Sequence, residues 1–296
     1  MKHFERGKRL RTAVEERRAL LAPGAANALT ARIAEDLGYE TVYVTGAGIA
    51  NTGYGVPDIG LTTVTEVANT VAAISDCCDL PLIVDADTGF GNPLNMIRTV
   101  RLLERAGANA LQIEDQQFPK RCGHFSGKSV IPSAEMCEKV RAAVDSRSTE
   151  DLLIIARTDA YAVEGLDAAL DRAAAYIEAG ADVTFVEAPT SEAQLREIVR
   201  RLPAPQVINL VIGGRTPLLS QAALKDLGFS IVLYANAALQ ASIVAIRDVL
   251  SGIRAEGGAE TLLDRLATFE DRQSVVRKPY WDDLERRYVD DPNNSG

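Results

Sequence analysis

The segment Ile83-Val84-Asp85-Ala86-Asp87-Thr88-Gly89-Phe90-Gly91-Asn92 places two carboxylates two residues apart at the end of an apolar run. Residues i and i+2 of a strand share a face, so Asp85 and Asp87 point the same way. Glu114, which follows Ala110-Leu111-Gln112-Ile113, and Asp58 extend this into an oxygen-rich set with no Cys or His. Such a set suits Mg2+ or Mn2+, which keep several waters and let a substrate complete the octahedron. Left without a cation, the carboxylates would repel one another and be driven to protonate. The plainer alternative is a pair of aspartates capping a helix after a strand.

A second cluster is Lys120-Arg121-Cys122-Gly123-His124-Phe125-Ser126-Gly127-Lys128. It combines three cations, two glycines and one of four cysteines, and it holds His124, one of two histidines; the other, His3, is almost at the terminus. Basic neighbours lower a thiol's pKa, which makes Cys122 a candidate acid, base or nucleophile. The glycines suit a loop that closes over a site. Cys77, Cys78 and Cys137 fall at a helix end or inside a helix and read as structural. Arg157, at the end of another apolar run, can grip a carboxylate bidentately. Backbone N–H groups of Thr45-Gly46-Ala47-Gly48 can receive an anion. Together these residues describe an anionic substrate with at least one carboxylate, bound to a metal, and chemistry that makes or stabilises an enolate.

These residues need a common mouth. Eight short, almost wholly apolar runs (20–22, 41–44, 82–84, 110–113, 152–156, 183–186, 206–208 and 231–233) have the composition of strands buried on both faces of a parallel sheet. Helix-periodic stretches alternate with them, several opening on Asn27, Thr62, Asn92, Ser133 or Ser191 and closing on Gly38, Gly107, Gly180 or Gly228. No glycine-rich phosphate fingerprint follows any run, which argues against an open doubly wound sheet. Eight like units predict an α/β fold of the (β/α)8 TIM-barrel type. Its strand ends deliver Thr45, Asp85 with Asp87, Glu114 with Asp115, Arg157 with Asp159, Glu187, Asn209 and Asn236 to one face. We expect the barrel over 1–256 and a C-terminal helical extension and tail over 257–296. A long helix is expected from Ala237 to about Arg254, a second over 261–275, a charged aromatic-bearing tail over 278–288 and disorder from Asp290.

The remaining arithmetic narrows the class. The 296 residues are 47% hydrophobic and 25% charged, which is globular composition, and the net charge of −9 with dispersed cations argues against nucleic-acid binding. No apolar run is long enough for a membrane span, and the first residues carry no secretory h-region. Four cysteines without CxxC spacing fit a reduced, cytoplasmic protein.

The segments VDADTGFGN, QIEDQ, PKRCGH, IIARTDA, VEGLDAA and FVEAP together resemble the isocitrate lyase/phosphoenolpyruvate mutase superfamily from about Leu20 to Glu256. The nearest branch is that of small lyases acting on methylisocitrate or 2,3-dimethylmalate. The resemblance implies that Asp85 ligates Mg2+ directly while Asp58, Asp87 and Glu114 act largely through water. It implies a mobile gating loop at KRCGH, with Cys122 as proton donor and Lys120, His124, Tyr43 and Arg157 in the catalytic group. Thr45, Gly46, Ala47, Gly123, Arg157, Glu187 and Asn209 would surround the substrate's carboxylate and hydroxyl groups. It further implies a homotetramer built as a dimer of helix-swapped dimers, in keeping with the long last helix.

Departures from the branch concern the substrate. Methylisocitrate lyase has Ser-Gly-Gly at Thr45-Gly46-Ala47, an arginine at Gln240 and an arginine after the histidine of the gating loop, where Phe125 stands here. Two cations for a third carboxylate are thus missing, and a buried unpaired carboxylate is costly. The expected substrate is a small anionic carboxylate of the 2-alkylmalate or 2,3-dialkylmalate type, cleaved by retro-aldol chemistry to a 2-oxo acid and a carboxylic acid. Methylisocitrate lyase, carboxyphosphonoenolpyruvate mutase and oxaloacetate hydrolase are rival activities on this scaffold. A non-catalytic carboxylate-binding protein is the rival of another class, disfavoured because Asp85 and Cys122 are both present.

Overall fold

A parallel strand whose two faces are both apolar must be covered inside and outside, and the computed structural model, which describes residues 2–121 and 127–289, does both. Eight parallel strands close on themselves in chain order. They are β1 (Leu20–Ala25), β2 (Val42–Val44), β3 (Leu82–Asp85), β4 (Ala110–Glu114), β5 (Leu153–Thr158), β6 (Val183–Val186), β7 (Gln206–Asn209) and β8 (Ile231–Tyr234). The predicted barrel is therefore the fold. Alternation sends Tyr43, Ile83, Ala110, Ile155, Phe185, Val207 and Leu233 into one interior cluster. Their neighbours Val44, Val84, Leu111, Ile154 and Ala156 pack outward against the surrounding helices.

Helix α1 (Lys2–Glu15) was not anticipated from the sequence. Its Leu10, Ala13 and Val14 join the barrel interior, while Arg6 reaches Ser75 and Asp79 and Arg11 reaches Asp182. Those partners precede β3 and β6, so α1 plugs the N-terminal end of the barrel. Burying its Leu and Val contributes about 1.5–3 kcal/mol each. The opposite end stays open, which is where catalytic groups of such barrels gather.

Helices α2 (Ala28–Asp36), α3 (Gly46–Tyr54), α4 (Val64–Cys77), α5 (Pro93–Ala106) and α6 (Ser133–Ser146) follow β1 to β4. The start of α5 is set by Asn92, whose side chain accepts from the N–H groups of Leu94 and Asn95, and by Pro93 in the first turn. Where β1 meets β8, a Cβ on Gly24 would lie 1.9 Å from the carbonyl oxygen of Ala235. Only glycine lets the two backbones approach there.

The chain divides into two compact units, Met1–Leu239 and Gln240–Gly296. The second begins inside the helix Ala237–Glu256. The expected helix over 261–275 is instead a 3-10 turn, Leu263–Arg265, and a short helix, Phe269–Val275, started by a capping box between Thr268 and Asp271. The expected tail is a helix, Lys278–Tyr288. The disorder expected from Asp290 lies outside the described residues. No helix among the described residues is long and apolar enough to cross a membrane.

Candidate active site

The open end of the barrel holds a narrow pocket. Tyr43, Thr45, Ala47, Asp58, Asp85, Glu114, Lys120, Arg157, Glu187 and Asn209 all line it, so one pocket collects most of the residues singled out from the sequence. Cys122, Gly123 and His124 lie outside the described residues. The thiols of Cys77 and Cys78 contact the Ile74 carbonyl and that of Cys137 the Ala175 carbonyl, and none lines this pocket.

Asp85 ends β3 and is held by backbone. Gly46 N–H donates to its Oδ2 at 3.3 Å and Asp87 N–H to its Oδ1 at 3.2 Å. Thr45 caps α3 by accepting from Gly48 N–H. The anion-receiving turn expected at residues 45–48 is thus the first turn of a helix, with the N–H groups of Thr45, Gly46 and Gly48 already engaged inside the protein. Asp87 itself has φ +47, a conformation costly for a non-glycine residue. The turn around it is pinned at four consecutive carbonyls. Ala86 accepts from Gly89 N–H, Asp87 from Glu114 N–H, Thr88 from Lys139 Nζ and Gly89 from the Thr99 hydroxyl.

The carboxylates share a buried cation. Lys120 Nζ lies 2.7 Å from Asp87 Oδ1 and also pairs with Asp58. Burial opposes the charge on Lys120, but Asp87, Glu114, Asp85 and Asp58 outweigh it and hold its pKa above the ordinary lysine value. Burial pushes Asp87 up to about 6, with Lys120 opposing and Asp85 assisting. Burial likewise raises Glu114 well above the carboxylate range, against Arg157. Tyr43, raised by burial and by Asp85, stays a protonated donor at neutral pH.

A second group surrounds Arg157 on β5. Its Nε and Nη2 grip Asp159 at 2.9 and 3.0 Å, its Nε lies 3.4 Å from Glu114 and 3.7 Å from Glu187, and its guanidinium stacks 5.3 Å over the Phe185 ring. Asp115 faces away from the pocket and anchors β5 instead, accepting from Thr158 Oγ1, Asp159 N–H and Tyr176 OH. Three pocket walls carried no signal in sequence beyond being apolar or basic: Phe185, Val211 and Arg121.

A family model described as phosphoenolpyruvate phosphomutase matches residues 10–254. The chain belongs to the phosphoenolpyruvate phosphomutase family. This agrees with the motif set read in the sequence. Among relatives, the chain is 39% identical over 281 residues to a 2,3-dimethylmalate lyase of Eubacterium barkeri, covering 95% of this chain and 97% of that one. It is 44% identical over 259 residues to a 2-methylisocitrate lyase of Aeropyrum pernix, covering 88% and 83%. Among solved structures, it is similar to a phosphonopyruvate hydrolase in complex with oxalate and Mg++, with a TM-score of 0.87, 30% identity and coverage of 96% and 99%.

For a member of the phosphoenolpyruvate phosphomutase family the metal question turns on donors. Among the described residues no three His, Cys, Asp or Glu side chains converge tightly enough to cage an ion. The site instead offers spaced carboxylates, with Glu114 Oε1 buried and without a hydrogen-bond partner. Spaced oxygen donors fit an ion that keeps most of its waters, as Mg2+ does.

Proposed function

We propose that this enzyme is a Mg2+-dependent carbon–carbon lyase acting on a 2-alkylmalate or 2,3-dialkylmalate. The observation that carries the reading is the split of the pocket walls. Charged groups run along the wall from β2 to just after β6, whereas the part of the wall at β7 and β8 carries no charge: uncharged Asn209 and Asn236 stand there beside apolar Val211 and Ala235, and Phe185 adds an aromatic face. A dicarboxylate with alkyl substituents matches that division. The 2,3-dimethylmalate lyase relative supports it.

Mg2+, when bound, would be held by Asp85 directly and by Asp58, Asp87 and Glu114 through water, and would stabilise negative charge on substrate oxygens. Arg157 takes a substrate carboxylate on the guanidinium edge that Asp159 leaves open. Glu187 and Asn209 border the same space and orient the substrate. Ala47, with Thr45 and Gly46, forms the wall beside Asp85, and Tyr43 donates its phenolic proton there as a hydrogen bond. Loss of the C2 hydroxyl proton to a pocket carboxylate breaks the C2–C3 bond. The electron pair stays with the departing acid as an enolate, and Cys122 protonates it, with Gly123, His124 and Lys120 as neighbours in the chain. The assembly that fits this reading is the homotetramer of swapped dimers, and the compartment is the cytoplasm.

Methylisocitrate cleavage is the second reading, favoured by Arg121, a further cation on the pocket wall. Incubation with Mg2+ and a panel of alkylmalates, methylisocitrate, oxaloacetate and phosphonopyruvate, with detection of 2-oxo acid release, decides between them. Turnover of methylisocitrate well above the alkylmalates supports the second reading. Phosphonate turnover without C–C cleavage overturns both.

A further inference from the structure

Lys128 is charged, yet its side chain is only 2% exposed and Asp159 beside it is fully buried, with Lys128 Nζ 2.6 Å from Asp159 Oδ1. Desolvating two charges this thoroughly is costly unless each is well paired. Asp159 does not meet the substrate pocket directly; it is absent from the lining that Arg157 and Glu187 share. We propose that Lys128 is a positioning residue for substrate binding: it holds Asp159, and Asp159 holds the guanidinium that takes the substrate's carboxylate.

The charge arrangement explains why a second cation is needed. Arg157 stands among Asp159, Glu114 and Glu187, all within 3.7 Å. A guanidinium already held by Asp159 and flanked by two further acidic side chains is a poor receptor for a substrate carboxylate. Lys128 takes up part of the charge of Asp159, so that carboxylate orients Arg157 through two parallel hydrogen bonds without fully neutralising it. Burial alone would raise the Asp159 pKa, but Arg157 and Lys128 together hold it below the ordinary aspartate value. The third neighbour of Asp159 is fixed as well, since its N–H donates to Asp115, which Thr158 and Tyr176 also hold. The whole unit is therefore rigid, and its position is set by side chains that never touch the ligand.

This inference rests on the reading of Arg157 as carboxylate anchor, and the experiment separates the two. Oxalate affinity of the Mg2+-loaded enzyme is measured by calorimetry for Arg157→Gln, Lys128→Met, Lys128→Arg, Asp159→Asn and the Asp159→Asn/Lys128→Met double variant, with KM and kcat for 2,3-dimethylmalate alongside. Lys128→Met is expected to weaken oxalate binding and raise KM by about ten- to a hundred-fold, with a smaller effect on kcat, and Lys128→Arg to recover most of the loss. In the double variant Lys128→Met should add nothing to Asp159→Asn, because it acts through that carboxylate. Unchanged oxalate affinity in Lys128→Met, beside a non-binding Arg157→Gln, overturns the inference and leaves the anchor reading intact. Additive losses in the double variant also overturn it. Oxalate binding that survives Arg157→Gln overturns the anchor reading itself. Should Lys128→Met not fold, judged by circular dichroism, Lys128→Gln carries the same measurements.

Discussion

Lys120 Nζ lies 2.7 Å from Asp87 Oδ1 and also pairs with Asp58, with its side chain only 4% exposed. One ammonium thus neutralises two of the carboxylates to which the proposed Mg2+ site is assigned. Removing one partner of a buried pair typically costs about 3–5 kcal/mol. Lys120→Met should therefore lower the metal-free stability by about that amount in urea unfolding, and Mg2+ should restore more stability to the variant than to the wild type. Equal Mg2+ effects on both proteins would show that lysine and metal do not share these carboxylates.

The elevated Asp87 carboxyl sets a pH window. With a folded value of about 6 against an ordinary aspartate near 4, the metal-free folded state holds a proton that the unfolded chain has already released. Metal-free stability therefore falls as pH rises from about 4 to about 6. On the proposed metal site the ion takes Asp87 as carboxylate, so Mn2+ affinity, followed by electron paramagnetic resonance, should strengthen between pH 5 and pH 7. A flat affinity across that range would remove Asp87 from the metal's surroundings.

Lys139 reaches from α6 to donate to the Thr88 carbonyl at 3.1 Å, and burial lowers its pKa. That bond is one of four pins on the turn that carries Asp87. Lys139→Met should leave the carbonyl unpaired and loosen the turn. The concentration of Mg2+ giving half-maximal activity should rise by about ten-fold, with kcat at saturating Mg2+ much less affected. A fall in kcat at unchanged Mg2+ dependence would assign Lys139 a different task.

Gly24 has no room for a side chain, since a Cβ would press on the Ala235 backbone. Gly24→Ala should destabilise the protein by about 1–3 kcal/mol or more, read from denaturant midpoints. Because Ala235 lines the pocket, KM should rise too. A variant of wild-type stability would mean that β1 and β8 can separate freely.

The barrel was legible because most strands are short apolar runs ended by a polar group, and that same punctuation marked Asp85, Glu114, Arg157 and Glu187 as neighbours in space. What escaped was structure whose local signal is weak. Helix α1 is dense in charge, so its thin stripe of Leu10, Ala13 and Val14 did not stand out, although its spacing is helical. Helix α3 runs through Gly46-Ala47-Gly48-Ile49-Ala50-Asn51-Thr52-Gly53-Tyr54, a sequence of low helix propensity held by the Thr45 cap and tertiary contacts. The links from Lys120 to Asp87 and from Lys128 to Asp159 join distant parts of the chain, and no periodicity encodes them.

The pairing of β1 with β8, from Leu20↔Ile231 to Pro23↔Tyr234, joins the beginning of the barrel sequence to its end. During synthesis the first strand waits for almost the whole barrel to emerge before its open edge can be covered. Pairing over such sequence separation is slow, and an uncovered parallel edge invites contact with other chains. The close seam at Gly24 thus makes the last strand the step that commits the chain to its fold, and truncation before Ile231 should yield a chain that associates rather than one that folds.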